Sequence, residues 1–154
     1  MMRLVLLALA GTLAAAAPAM ANEVRVEAHS GVLWNHDATD ATAGVAAGYD
    51  YDLGPAAFGG VEVSADKILN SYAKRVSVGV SGRLGANLAG TKLYAVGGYA
   101  TTPCTDCGGA WNFGAGVQKS FMQKFYGKVE YRHYIADEGL GNRDAVTAGV
   151  GLKF

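Results

Sequence analysis

The segment Asp144-Ala-Val-Thr-Ala-Gly-Val-Gly-Leu-Lys-Phe154 leaves the chain few conformational choices. Val146, Ala148, Val150, Leu152 and Phe154 share one phase; Ala145, Thr147, Gly149, Gly151 and Lys153 share the other. A period of two belongs to a β-strand with two unlike faces. One face is apolar and ends in an aromatic ring, and the other is small or polar. A lone strand leaves its backbone donors and acceptors unpaired, so this segment requires partner strands.

The same alternation recurs along the chain and predicts eight strands, over 23–34, 42–52, 57–66, 75–84, 92–100, 111–118, 125–135 and 144–154. In the first, Val24, Val26, Ala28, Val32 and Trp34 oppose Arg25, Glu27 and His29. In the fourth, Val76, Val78, Val80 and Leu84 oppose Arg75, Ser77, Gly79, Ser81 and Arg83. The fifth fits least well: Leu93, Ala95 and Tyr99 make one face, but Tyr94 and Val96 interrupt the other. Pro55 and Pro103 both fall between strands, where a missing backbone donor does no harm. The connections alternate between shorter (53–56, 85–91, 119–124) and longer (35–41, 67–74, 101–110, 136–143).

Residues 1–21 read as a cleaved secretory leader, with Arg3 before an apolar run and Ala19-Met20-Ala21 as the cleavage site. Residues 22–154 then form one domain. Of 13 basic side chains, removal of Arg3 leaves 12 against 13 acidic ones, a balance that gives no reason to expect a nucleic-acid partner. No later stretch is apolar and long enough for a spanning helix, so a membrane role must use strands.

Which face looks outward decides between a soluble lipid-binding barrel and a membrane barrel. Trp34, Tyr99 and Trp111 lie in the apolar phase at strand ends beside long connections, and Tyr51, Phe125 and Phe154 lie in it at the opposite ends. Two aromatic bands match two membrane interfaces. The apolar face is therefore expected to meet outer-membrane lipids. The other phase would line the lumen with Arg25, Glu27, Glu62, Arg75, Arg83, Lys128, Glu130 and Arg132. Eight strands enclose a space that side chains can fill, and buried charges need partners. An ion-pair plug is the expected result, with a narrow polar path as the alternative.

Lys128-Val-Glu-Tyr-Arg132, then a loop and a last strand ending Gly151-Leu-Lys-Phe154, resembles the small opacity-type (outer-membrane protein β-barrel, porin-like) family of Proteobacteria. In architecture it is similar to the OmpA and OmpX barrels. The resemblance implies an all-β, eight-stranded antiparallel transmembrane up-and-down barrel in the bacterial outer membrane, without cofactor and usually without catalysis. It implies Phe154 as an insertion signal for the barrel-assembly machinery, reached with the help of periplasmic chaperones. His133 stands where the family has Tyr after Arg132.

Cys104-Thr-Asp-Cys107 falls in the third long connection. One pair is too few for a structural metal site, and no βαβ pattern supports a redox role. After export, a local disulfide is the expected state. Lipid A deacylases of this barrel size use His-x-Ser; here His133 is followed by Ile135, so the nucleophile is missing. His29 and His36 show no obvious partners. The long connections carry Asp37, Asp40, Asp66, Asp106, Asp137, Glu138 and Asp144 against Lys67, Lys74 and Arg143. Such an acidic rim would suit divalent cations or host surfaces, although no calcium-loop spacing is present. The expected role is structural, envelope-stabilising or adhesive through the loops. A small solute channel, a lipid A-modifying enzyme and a soluble lipid-binding barrel are the alternatives.

Overall fold

A computed structural model describes residues 22–70, 76–101, 108–137 and 141–154. Its elements are β1 (Glu23–Trp34), β2 (Thr39–Asp52), β3 (Ala57–Ile68), β4 (Ser77–Leu88), β5 (Thr91–Thr101), β6 (Gly109–Ser120), β7 (Phe125–Ala136) and β8 (Arg143–Lys153). Each strand pairs antiparallel with its sequence neighbours, and β1 pairs with β8 to close the barrel. The seam extends to the last residue: Val24 N–H donates to Phe154 O at 3.1 Å, and Phe154 N–H donates to Val24 O at 2.8 Å.

The register fixes the shape. Starting at Val24 and stepping across paired residues passes Tyr49, Val61, Gly82, Gly97, Phe113, His133 and Asp144, and returns to β1 at Trp34. The circuit thus climbs from residue 24 to residue 34, a stagger of ten. With ordinary strand rise and spacing, that stagger tilts eight strands by about 40° and leaves an interior that side chains can fill.

β1 spans its expected range and β8 is shifted by one residue, but the other six strands run longer than the alternation predicts, because residues near turns lack its contrast. β2 begins at Thr39 and β3 continues to Ile68. The 85–91 connection is really strand, apart from a two-residue turn. Leu88 pairs with Thr91, and Ala89 and Gly90 have φ of 52° and 85°. That left-handed pair gives the tight hairpin whose twist matches the strands. Leu84, expected at a strand end, is therefore well inside β4. The expected leader, Arg75, Cys104, Cys107, Lys74, Asp106 and Glu138 lie outside the described residues.

Burial is inverted relative to a water-soluble protein. Val80, Leu84, Trp111 and Val150 are 60%, 61%, 61% and 63% exposed, whereas Arg25 and Gln118 are 0% and 1% exposed. Apolar rows cover the outside, and polar side chains form the interior. Tyr51 and Phe125 are exposed near one end; Tyr99 and Trp111 are exposed near the other, with Trp34 half-buried beside them.

Candidate functional site: the lumen

The lumen is packed by charges held in place from seven strands, all but β6. Nearest the chain termini, Glu23 on β1 meets Lys153 at 3.2 Å and Lys92 on β5 at 2.8 Å. Lys92 also reaches Asp50 on β2 at 2.8 Å. The Asp50 carboxylate takes a two-pronged grip from Arg83 of β4 and lies 3.4 Å from Arg25. Arg83 donates further to Gln118 at 3.0 Å. Its guanidinium lies 4.7 Å from the Tyr94 ring centre and 5.3 Å from that of Phe58, while Lys92 sits 4.8 Å from Phe58. Such cation–ring contacts gain strength where water is excluded.

Glu62 on β3 is the hub of the next layer. Arg25 reaches it at 2.5 Å, Arg132 of β7 at 3.0 Å and Lys128 at 3.6 Å. Arg132 also pairs with Glu130 at 2.5 Å and donates to Asn112 at 3.0 Å. Lys128 sits against Glu27, which accepts from Tyr126 at 2.8 Å. Tyr94 donates to Glu130 at 2.7 Å. Three of these ion pairs, Glu62–Arg132, Glu62–Lys128 and Glu23–Lys92, join strands on opposite walls, since β3 faces β7 and β1 faces β5 in the eight-strand ring. They cross the full width of the barrel.

Glycines make room for the large groups. The Arg25 guanidinium lies so close to Gly48 that a Cβ there would be 2.5 Å from Nη2 and 2.7 Å from Cζ. Tyr94 covers its cross-strand partner Gly116 in the same manner, which explains how a ring fits the inner phase of β5. Tyr94 and Val96 therefore do not interrupt the polar face; both are buried lumen residues at 5% exposure.

Of the eight charges expected in the lumen, the structure places Arg25, Glu27, Glu62, Arg83, Lys128, Glu130 and Arg132 there, and Arg75 lies outside the described residues. Sequence reasoning missed Asp50, Lys92 and the aromatic Phe58, although Asp50 stood in the inner phase. His29, read as lacking partners, lies 2.6 Å from Asp66 and 3.4 Å from Glu27. Asp66 accordingly belongs to the lumen and not to the loop rim. A balanced pattern results, with Arg25, Arg83, Lys92, Lys128, Arg132 and Lys153 against Glu23, Glu27, Asp50, Glu62, Asp66 and Glu130.

Toward the loop end the packing stops. A cavity of about 310 Å³ opens there, with Asp40, Asp66, Asn112, Arg132, Tyr134 and Arg143 among its walls. Asn112 and Arg132 belong to both regions, so the ion pairs form the floor of this vestibule. Among the described residues, no three His, Cys, Asp or Glu side chains are grouped to hold a metal ion.

No curated protein matches the chain in sequence. Its fold is shared with solved barrels. The attachment invasion locus protein Ail of Yersinia pestis superposes with a TM-score of 0.59 at 12% identity, covering 86% of this chain and 97% of that one. Neisserial surface protein A gives 0.57 at 15% identity, with 86% and 97% covered. A de novo designed transmembrane β-barrel gives 0.56 at 19% identity, with 84% and 95% covered. The family model described as "Outer membrane protein beta-barrel domain" matches residues 5–154, and with the closed, outwardly apolar barrel it establishes that this chain belongs to that family and to the bacterial outer membrane.

Proposed function

We propose that this outer-membrane barrel is a plugged, non-enzymatic scaffold that stabilises the envelope and displays its loops, without passing solutes. The observation that carries the reading is the set of ion pairs spanning opposite walls, Glu62–Arg132, Glu62–Lys128 and Glu23–Lys92. A charged side chain in such a network is costly to move, because each departure strands its partner in a dry interior. The vestibule ends on this floor.

Adhesion is the loop-borne part of the role. The Yersinia attachment invasion locus protein has been solved with sucrose octasulfate, a heparin analogue. Here Asp37 and Asp137 are exposed at the loop end, so a surface bridged by divalent cations suits this chain better than a bare polyanion. Phe154 would serve as the insertion signal for the assembly machinery, and Cys104–Cys107 as a local disulfide that pins a loop. Catalysis by a His-x-Ser pair has no basis at His133, where Ile135 replaces the nucleophile.

Planar-bilayer recording of the purified, refolded protein tests the proposal. The wild type is expected to show no steady conductance, and Glu62→Leu is expected to raise the frequency of openings. A steady wild-type current that scales with salt would replace the scaffold by a channel.

A further inference from the structure

The outer surface, from β4 round past the seam to the β1–β2 connection, carries two depressions. The first is an apolar groove in the membrane-facing wall. Ala95 and Ala115 are paired across β5 and β6 and form its floor; Leu84, Leu93, Val117 and Val129 stand around it. Tyr131 closes the groove toward the loop end. The second is a recess of about 400 Å³ at the loop end, lined by Trp34, Asn35, His36, Asp37, Asn142 and Asp144, with Gly141.

A hydrogen-bonded cluster joins the two. Asp144 Oδ1 accepts from the Tyr131 hydroxyl at 2.6 Å and pairs with His133 Nδ1 at 2.8 Å. Tyr131 thus belongs to the groove, and its partner Asp144 to the recess. Trp34 is the cross-strand neighbour of Asp144 on one side and His133 on the other, and Phe113 packs 5.4 Å from His133. Carboxylate and amide acceptors beside aromatic faces suit a ligand with many hydroxyls, because each hydroxyl can donate while the ring's carbon face stacks. Among the described residues lining the recess there is no Lys or Arg, and His36 is its one basic side chain.

We propose that this face is a binding site for a sugar-headed lipid: the recess holds the sugar against Asp144 and Trp34, and the groove beneath Tyr131 holds an acyl chain. The site is independent of whether the lumen conducts, since the side chains assigned to it take part in none of the plug's ion pairs.

The test uses the refolded full-length mature chain in detergent micelles, with heat-modifiable gel mobility as the check on folding. The probes are glucosyl diacylglycerol and, with the same chains, phosphatidylglycerol and phosphatidylethanolamine, followed as adducts by native mass spectrometry. The glucosyl lipid is expected to bind about threefold more tightly than either phospholipid, the scale of one or two charge-assisted bonds at a half-wet site. Asp144→Ala should erase the preference, and Ala115→Phe, which fills the groove, should weaken all three lipids. Should Asp144→Ala fail to fold, Trp111→Phe leaves Trp34 as the single tryptophan of the mature chain, and its emission should shift with the glucosyl lipid alone. Equal binding of the three headgroups, binding unchanged by Ala115→Phe, or a Trp34 signal indifferent to the sugar would each overturn the assignment.

Discussion

The inside and outside of this barrel are built from alternate residues of the same strands, yet they are specified by different physics. Outside, Val45, Val63, Val80 and Val150 need only be apolar, because lipid is an adaptable neighbour. Inside, Arg25, Asp50, Glu62 and Arg83 each depend on particular atoms of particular partners. The outer face is therefore sensitive to depth in the membrane, and the inner face to identity. The contrast implies that substitutions inside should be non-additive, while substitutions outside should follow position along the strand.

The strongest way to break the comparison is at the hub. Glu62→Leu removes the shared partner of Arg25 and Arg132, and should cost about 3–5 kcal/mol in reversible urea unfolding from bilayers. Adding Arg132→Met should recover part of that loss. Simple additivity of the two would show that the inner charges act singly. On the outer face, Leu84→Arg should cost roughly 2–4 kcal/mol, as Leu84 lies well inside β4. Leu88→Arg, beside the hairpin turn, should cost about 0–1 kcal/mol in the same assay. Equal penalties at the two sites would remove depth as the governing variable. A smaller effect sharpens the packing claim: Gly48→Ala pushes a methyl into the Arg25 guanidinium and should cost about 1–3 kcal/mol. Restoration by Arg25→Lys, whose ammonium is narrower, would locate the strain at that contact.

Strand phase was legible because one face had to be apolar throughout. Asp144 to Phe154 already contained that rule, and the fourth and sixth strands repeat it. Strand ends were less legible: near Asn87 and Leu88 both faces meet water, so the contrast fades and only the hairpin geometry reveals the continuing ladder. The lumen was legible as a set of charges, but not as pairs. Asp50 and Lys92 lie 42 residues apart in sequence, and their meeting depends on a stagger no local pattern expresses. The Tyr94 ring did carry a readable signal. Its inner-phase position makes sense once Gly116 is recognised as the cross-strand vacancy that receives it. His29 found its carboxylates for the same reason, through register.

The seam between Val24 and Phe154 also bears on how the molecule comes into being. Closure joins the first strand to the last, so the bonds that complete the ring link residues as far apart in sequence as Val24 and Phe154. Contacts of such long sequence separation form late and slowly, since their entropic cost comes before their reward. Until they form, β1 and β8 each offer a row of unpaired N–H and C=O groups, which hydrocarbon cannot tolerate. A partly translocated chain consequently has no stable membrane-embedded form. The ring has a lipid-stable form only once β8 has met β1.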